Sequence, residues 1–179
     1  MKKIITLFTA LFIGGIVMAQ SKSAVINFSA TGITRSVAQK IAGITGSDLI
    51  EIKPEQPYTS QDLNWNDNNS RTTKECNALE TIRPAMKVKI DISCYDTIYL
   101  GYPIWWYQAP NIVYTFVESA DFSGKTVYPF CTSGGSSIGE NWYRHWIFSR
   151  RKKYMTPCKL YSVERCCVSI GFYPTFAAR

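Results

Sequence analysis

Short apolar segments alternate with amphipathic segments up to residue 139, and this alternation narrowly limits the folds that are open to the chain. The pattern predicts four strands, at residues 24–28, 49–52, 96–100 and 125–131. Helical periodicity follows the first strand from Gly32 and the third strand over residues 111–120. Strands that alternate with helices pair in parallel, with helices on both faces of the sheet. The chain is therefore predicted to be an α/β protein with a doubly wound parallel sheet.

The two predicted helices have clear sequence signals. In the first helix, the apolar residues recur at helical spacing and are expected to form one face, which comprises Ile33, Val37, Ala38, Ile41 and Ile44. Gly43 and Gly46 are expected to end it. In the second helix, Pro110 is well placed at the first turn, where its missing N–H costs nothing.

A long polar segment, residues 55–84, interrupts the alternation after the second strand. It is rich in turn-forming residues and reads PEQPYTSQDLNWNDNNSRTTKECN from residue 54. Tyr58, Leu63 and Trp65 are large apolar residues that can anchor such a segment to the domain. We therefore interpret it as a surface excursion and not as a linker between domains.

The first 19 residues have the pattern of a secretory signal peptide. Lys2 and Lys3 precede an almost wholly apolar run, and small residues follow where a signal peptidase cleaves, before Gln20. The apolar run of about 15 residues is short for a membrane span; an uncleaved N-terminal anchor is the alternative. We expect residues 20–179 to form a single exported domain, periplasmic or secreted, with no stable membrane span.

Basic charge is concentrated in the last part of the chain. The formal net charge is +7, yet residues 20–139 sum to −1, and eight basic residues stand against two acidic ones from Glu140 onward. A nucleic-acid binder should carry its basic charge on the folded body, so no nucleic-acid function is expected. Residues 140–179 also lack a clean helix period and hold half of the cysteines. We call them the basic, cysteine-rich tail.

Neither a metal site nor a catalytic side chain is predicted. The six cysteines include no CxxC pair, and their spacing matches no zinc site. Cys131 lies in an apolar run and is expected to be a small core residue. His145, the only histidine, lies in the tail.

The loop after the first strand combines small hydroxyl residues with a glycine. Hydroxyl groups, backbone N–H groups and the N-terminus of the following helix can together hold a phosphate. The alternative is plain capping of the helix by Ser29 or Thr31. The candidate phosphate-binding residues are Ser29, Ala30, Thr31, Gly32, Ile33 and Thr34.

Two further loops follow the third and fourth strands. The first of them is aromatic and is suited to covering a flat ring, or alternatively to forming a hydrophobic plug over the end of the sheet. Its candidate residues are Pro103, Ile104, Trp105, Trp106 and Tyr107. The second is rich in glycine and serine, so its backbone can approach a planar ligand. Its candidate residues are Thr132, Ser133, Gly134, Gly135 and Ser136.

The carboxyl ends of parallel strands meet at one edge of a sheet, where α/β proteins bind ligands. A phosphate, an aromatic cover and a polar-edged loop at that edge suit a mononucleotide, and FMN fits best. The sequence therefore predicts FMN as the cofactor.

The motifs, in this order, resemble those of the flavodoxin family, and most closely its bacterial flavodoxin-like branch. The resemblance covers residues 24–139 through FSATGITRSVAQKIA, EIKPEQPYTSQDLNWNDNNSR, LGYPIWWYQAP and DFSGKTVYPFCTSGGSSIG. It implies a five-stranded parallel sheet of order 2-1-3-4-5 that binds FMN noncovalently. By the same resemblance, the first loop holds the phosphate, and the second and third loops flank the isoalloxazine ring.

The tail departs from this family pattern. The sequence CVSIGF, residues 167–172, is compatible with the fifth strand, but nothing after it resembles the last helix. We hypothesise a change of reading frame shortly after Gly139; the alternative is a genuine tail that offers a basic surface to an acidic partner.

The resemblance implies an electron carrier whose partner is a redox protein or a small electron acceptor, and not a substrate-specific enzyme. One alternative is an FMN-dependent oxidoreductase that uses NAD(P)H or quinones. The other is a C-terminally altered remnant that no longer binds FMN. The sequence indicates no particular oligomeric state.

Overall fold

The computed structural model describes residues 21–134, 161–163 and 166–168. Four strands form one parallel sheet in the order β2-β1-β3-β4. The predicted α/β class and the predicted order of these four strands are therefore confirmed. The elements are β1 (Ser23–Asn27), α1 (Ile33–Thr45), β2 (Asp48–Glu51), α2 (Arg71–Asn77), β3 (Thr97–Pro103), α3 (Asn111–Ser119), β4 (Thr126–Thr132), β5 (Tyr161–Val163) and β6 (Cys166–Val168).

One face of the sheet forms the main core with α3. Alternate residues of β1, β3 and β4 point to this face, because successive strand side chains alternate between the two faces. Cys131 is buried there, as predicted for a small core residue. The fully buried residues of this core include Ile26, Phe28, Ile98, Leu100, Ile112, Val113 and Phe116.

The opposite face of the sheet is covered by α1. Val25, Ala38 and Phe130 form a small buried cluster, and Val37 and Ile41 pack against it. Two residues of the predicted apolar face of α1 do not pack: Ile33 is exposed and Ile44 is 86% exposed. Packing is confined to the middle turns of the helix, so apolar spacing alone overestimated the buried face.

The excursion over residues 55–84 contains a short helix, α2, that the sequence did not predict. Ser70 caps this helix by accepting a hydrogen bond from the Thr73 N–H at 3.3 Å. The predicted anchor Tyr58 packs against the main core, whereas Trp65 is 71% exposed and is no anchor. Leu63 is half-buried. The excursion is held to the body by the packing of Tyr58 and by hydrogen bonds from the Asn111 and Gln108 side chains to backbone carbonyl oxygens of α2.

The structure describes two short strands of the tail, β5 and β6. β5 and β6 pair antiparallel, and β6 lies beside β4, with Cα atoms of the two strands within 8 Å. β6 overlaps the predicted fifth strand, but it belongs to a separate two-stranded sheet. The predicted signal peptide, the predicted last helix and the rest of the tail lie outside the described residues. None of the helices in the described part of the chain has the length and hydrophobicity that a membrane span requires.

Candidate functional site

Three loops leave the carboxyl edge of the sheet next to one another. The parallel register pairs Asn27 with Gly101 and Pro103 with Thr132, so β1, β3 and β4 end close together. The structure thus brings the first two predicted segments, and residues 132–134 of the third, to the edge where α/β sheets bind ligands. We name them the first loop (residues 28–32), the second loop (residues 104–110) and the third loop (from residue 133).

The first loop enters α1 through a left-handed residue. Gly32 has a φ of +89° directly before the helix, a conformation that glycine adopts without strain. Its N–H donates a hydrogen bond to Ser29 Oγ at 3.1 Å. No side chain of the described residues caps α1. Ser29 therefore contacts only the N–H of the N-cap residue Gly32, and the following amide groups of α1 have no side-chain cap among the described residues, an arrangement that suits an anion.

Thr132, at the end of β4, joins the loops to one another. Its side-chain oxygen lies 2.8 Å from Thr34 Oγ1 on α1, and both residues are buried. Its carbonyl oxygen accepts a hydrogen bond from the N–H of Ile104 at 2.9 Å. One residue therefore fixes the start of α1 and the start of the second loop relative to β4.

The second loop is a tight turn with two non-glycine residues in the left-handed region. Trp105 and Gln108 exchange two backbone hydrogen bonds of 3.0 Å, and Trp106 and Tyr107 between them have φ of +47° and +62°. Turns with two positive φ values normally require Asn or Gly. Large residues in this conformation are strained, and such strain clusters at ligand sites. Trp106 is 37% exposed and Tyr107 is 57% exposed.

Trp105 has a different environment from its two neighbours. Its ring makes edge-to-face contacts with Phe28 and Tyr58, at centroid distances of 5.6 and 5.2 Å. The plug interpretation therefore applies to Trp105, which packs against the core. It does not apply to Trp106 and Tyr107, which are available to a ligand.

The remaining predicted residues lie along the same edge. Ala30 is half-buried against the core, whereas Thr31 and Ile33 are exposed. Pro103 and Ile104 are half-buried, Ser133 is half-buried and Gly134 is exposed. Gly135 and Ser136 lie outside the described residues.

Sequence reasoning overlooked Asn27, the last residue of β1. Its Nδ2 donates to the carbonyl oxygen of Ile50 at 3.2 Å, while its Oδ1 is buried without a partner among the described residues. A groove of about 570 Å³ beside β2 includes Asn27, Arg35 and Lys89 in its lining. Arg35 donates to Glu51 there through Nε at 3.0 Å. Arg35 is therefore held by the second strand and not by the first loop.

Metal binding or thiol chemistry in the described part would depend on its cysteines and acidic residues. No group of three or more His, Cys, Asp or Glu side chains within it is arranged to hold a metal ion. Cys76 and Cys94 are free thiols. Burial raises the pKa of Cys76 to about 11, so its reactive thiolate form is disfavoured.

The residues at this edge fit a phosphate joined to a flat ring. The uncapped start of α1 and the hydroxyl groups beside it suit the phosphate. The exposed Trp106 and Tyr107 suit the ring. The loops are held together by backbone and hydroxyl hydrogen bonds and need no lysine.

The comparisons with known proteins agree with this geometry. A family model described as flavodoxin matches residues 22–150. A candidate flavoprotein from Bacteroides eggerthii is 52% identical, with 66% of this chain and 75% of that chain covered and a TM-score of 0.64. A candidate flavoprotein from Bacteroides uniformis is 48% identical, with 66% and 76% covered and the same TM-score of 0.64.

A flavoprotein from Lactobacillus acidophilus in complex with FMN shares the fold at 22% identity, with 70% of this chain and 83% of that chain covered and a TM-score of 0.57. The comparison with curated proteins found no match. The family match and the half-identical Bacteroides structures establish the relationship. The chain belongs to the flavodoxin family, which implies FMN as the cofactor of this edge.

Proposed function

We propose that the chain binds FMN at the edge formed by the three loops and transfers electrons as a carrier protein. The observation that supports this most directly is the link through Thr132, which ties the uncapped start of α1 to the aromatic second loop. The proposed phosphate site and the proposed ring site are thereby tied to the same residue. Preorganisation of this kind lowers the entropic cost of binding.

The roles of the individual residues follow from their positions. The amide groups at the start of α1, with Ser29 and Thr34 beside them, bind the phosphate. Trp106 and Tyr107 cover the ring and exclude water from it. When bound, FMN supplies the redox chemistry, and the protein supplies binding and orientation.

The composition of the edge favours a carrier over an enzyme that moves protons. Among the candidate residues that the structure describes, Tyr107 is the only one with a titratable side chain. A general acid or base needs a titratable group with a pKa near the working pH, within hydrogen-bond reach of the reacting atoms. The edge offers no carboxylate, histidine or lysine among those residues, so the electron acceptor is expected to be a redox protein or a small molecule that needs no such group.

A fluorescence titration of FMN with the purified chain tests the cofactor. We expect strong saturable quenching with one FMN per chain, and weaker binding of riboflavin, which has the same ring without the phosphate. A chain that melts cooperatively but does not quench FMN would contradict the proposal and identify a remnant that has lost the cofactor. Equal affinity for riboflavin would contradict the role of the first loop.

Steady-state kinetics test the carrier role separately. The FMN-loaded chain should exchange electrons with dithionite and with an artificial acceptor, but should oxidise NAD(P)H only slowly in the presence of a quinone. Rapid oxidation of NAD(P)H would contradict the carrier role and would indicate that the protein is an FMN-dependent oxidoreductase.

We also propose that the protein is exported, on the basis of the signal-peptide pattern in residues 1–19. Expression of the full chain in a bacterial host, followed by intact-mass measurement of the periplasmic fraction, tests this. The mature protein should begin at Gln20. Recovery of the full-length chain in the membrane fraction would indicate an uncleaved anchor instead.

A further inference from the structure

The excursion places a buried polar network directly behind Trp105. Glu75, on α2, is only 4% exposed. Its Oε2 accepts a hydrogen bond from the Tyr58 hydroxyl at 2.7 Å, and its Oε1 accepts one from Arg71 Nε at 2.7 Å. We infer that Tyr58, Arg71 and Glu75 are positioning residues that hold Trp105, and through it the second loop, in the geometry that receives the flavin ring. This inference rests on the proposed function.

Arg71 makes two further short contacts within the network. The Arg71 guanidinium lies over the Tyr58 ring, 4.1 Å from its centroid, and its terminal nitrogen donates to the carbonyl oxygen of Gln56 at 2.8 Å. The buried Glu75 carboxylate thus has a charged partner and a hydroxyl donor. A buried charge is tolerated only when it is paired in this way, so loss of either donor is expected to disturb the whole cluster.

Two contacts connect the network to the second loop. The Tyr58 ring packs edge-to-face on Trp105 at 5.2 Å, and Phe28 completes the three-ring cluster. At the far end of the turn, Gln108 Nε2 donates to the carbonyl oxygen of Cys76, the residue after Glu75, at 3.3 Å. The excursion therefore contacts both residues that close the turn.

The turn needs this external support. Its two central residues, Trp106 and Tyr107, both have positive φ, which costs free energy for side chains of their size. Its own two backbone hydrogen bonds lie at an exposed edge, where water competes for the same N–H and carbonyl groups. A strained turn persists only where surrounding contacts over-determine it, and this network adds the Tyr58 contact to Trp105 and the hydrogen bond from Gln108 to the packing of Trp105 on Phe28 and the main core.

Tyr58 is the most specific probe, since Tyr58→Phe removes only the hydroxyl and keeps the ring contacts. Burial raises the pKa of Tyr58 far above its ordinary value, so the hydroxyl remains a donor to Glu75 throughout the physiological range. Tyr95→Phe is the matched control. The Tyr95 hydroxyl also donates to a carboxylate, Asp48 Oδ2 at 2.8 Å, but at the opposite end of the sheet.

The experiment compares wild type, Tyr58→Phe and Tyr95→Phe by hydrogen exchange of the apo chain and by FMN titration. In Tyr58→Phe we expect the amides of Trp105 and Gln108 to exchange about ten-fold faster, because the loss of one hydrogen bond to a charged group allows the turn to open. FMN affinity should fall about five-fold, since binding must then restore the turn. Both variants should melt at a lower temperature than wild type, because each loses a hydrogen bond to a carboxylate. Tyr95→Phe should nevertheless change neither the exchange rates of Trp105 and Gln108 nor the FMN affinity.

The outcomes separate the inference from the proposed function. Unchanged exchange in Tyr58→Phe would overturn the positioning role, whatever FMN does. Faster exchange with unchanged FMN affinity would overturn the link to the cofactor. If wild type itself does not bind FMN, the proposed function fails, and the exchange data alone decide whether the network holds the turn.

A second variant covers the case in which Tyr58→Phe does not fold. Arg71→Lys keeps the positive charge beside Glu75 but removes the planar contact over Tyr58. It should speed exchange at Trp105 and Gln108 in the same direction, and a wild-type exchange rate in this variant would also contradict the positioning role.

Discussion

At the scale of single residues, one hydroxyl pair determines how the candidate site is assembled. Thr34 and Thr132 are separated by 98 positions in the chain, and their side-chain oxygens lie 2.8 Å apart in a buried environment. A buried hydroxyl without a partner costs free energy because it has lost its hydrogen bonds to water. The two threonines therefore depend on each other, and each keeps its own loop in place.

Thr34→Val replaces the hydroxyl with a methyl group of similar size. We expect a loss of about 1–2 kcal/mol in the free energy of unfolding, because Thr132 is left without its buried partner, and a several-fold weaker affinity for FMN. Urea denaturation and FMN titration measure the two effects. Thr34→Ser keeps the hydroxyl and should retain FMN affinity; equal losses in both variants would show that the hydroxyl pair is unimportant.

Gly101 illustrates a second requirement at the residue scale. A Cβ at this position would overlap the ring of Phe130, which lies against the backbone of β3. Gly101→Ala is expected to destabilise the protein by about 1–3 kcal/mol, since the ring must shift within a packed cluster. The measurement is the urea midpoint at constant m-value.

Gly43→Ala is the matched control for that substitution. Gly43 lies within α1, and a Cβ there would meet nothing within 4 Å. Because alanine favours the helix, this variant should gain about 0.5–1 kcal/mol. A loss of similar size in both variants would argue against the ring overlap as the cause.

At the scale of elements, α2 shows where sequence periodicity was insufficient. The helix has only seven residues, RTTKECN, and lacks an apolar stripe. Its buried residues are Thr72, Thr73 and Glu75, which a hydrophobic pattern does not identify. The Arg71–Glu75 spacing of four residues and the cap at Ser70 were the available signals.

Ser70→Ala tests the contribution of the cap. It removes the acceptor for the Thr73 N–H and leaves Thr73 Oγ1 without the hydrogen bond from Ser70. We expect the free energy of unfolding to fall by about 1 kcal/mol, as measured by urea denaturation. Ser70→Asp retains an acceptor and should recover most of the loss; a full loss in that variant would exclude capping as the reason.

Helix α1 shows the opposite error. Its apolar spacing predicted one continuous buried face, yet Ile33 and Ile44 at its two ends are exposed. The spacing correctly indicates which side of a helix is apolar, but the length of contact depends on how far the sheet extends beneath it. That extent is set by strand pairing between distant segments, so it is not encoded in the helix itself.

At the scale of the whole molecule, buried tyrosines make stability depend on alkaline pH. Burial raises the pKa of Tyr114 to about 12 and, with the carboxylate of Asp48 beside it, that of Tyr95 to about 12, compared with an ordinary value of 10.0. Between these values, the unfolded chain loses protons that the folded chain retains. The stabilisation is therefore complete below pH 10 and is lost as the pH rises towards 12.

We expect the urea midpoint to fall steadily above pH 10 and to be insensitive to tyrosine ionisation between pH 7 and 9. Absorbance at 295 nm should show that these tyrosines ionise together with unfolding and not before it. Tyr114→Phe should flatten the alkaline decline. An unchanged decline in that variant would assign it to other groups.

The tail matters for the whole molecule because its strand β6 lies beside β4, at the edge of the main sheet. The family match ends at residue 150, within the basic, cysteine-rich tail. Reading the nucleotide sequence in its other two frames tests the hypothesis of a frame change. A family-like ending in one of them would support it, and its absence in both would favour a genuine tail.

The sequence by itself determined the local features: the four strands, two of the three helices within residues 21–134, and the three loops that follow β1, β3 and β4. These depend on periodicity and turn residues within short windows. Only the tertiary structure decided which groups meet, such as Thr34 with Thr132, Gly101 with Phe130, and Tyr58 with Trp105. These contacts join segments far apart in the chain, and their geometry follows from strand order and packing, which no local pattern specifies.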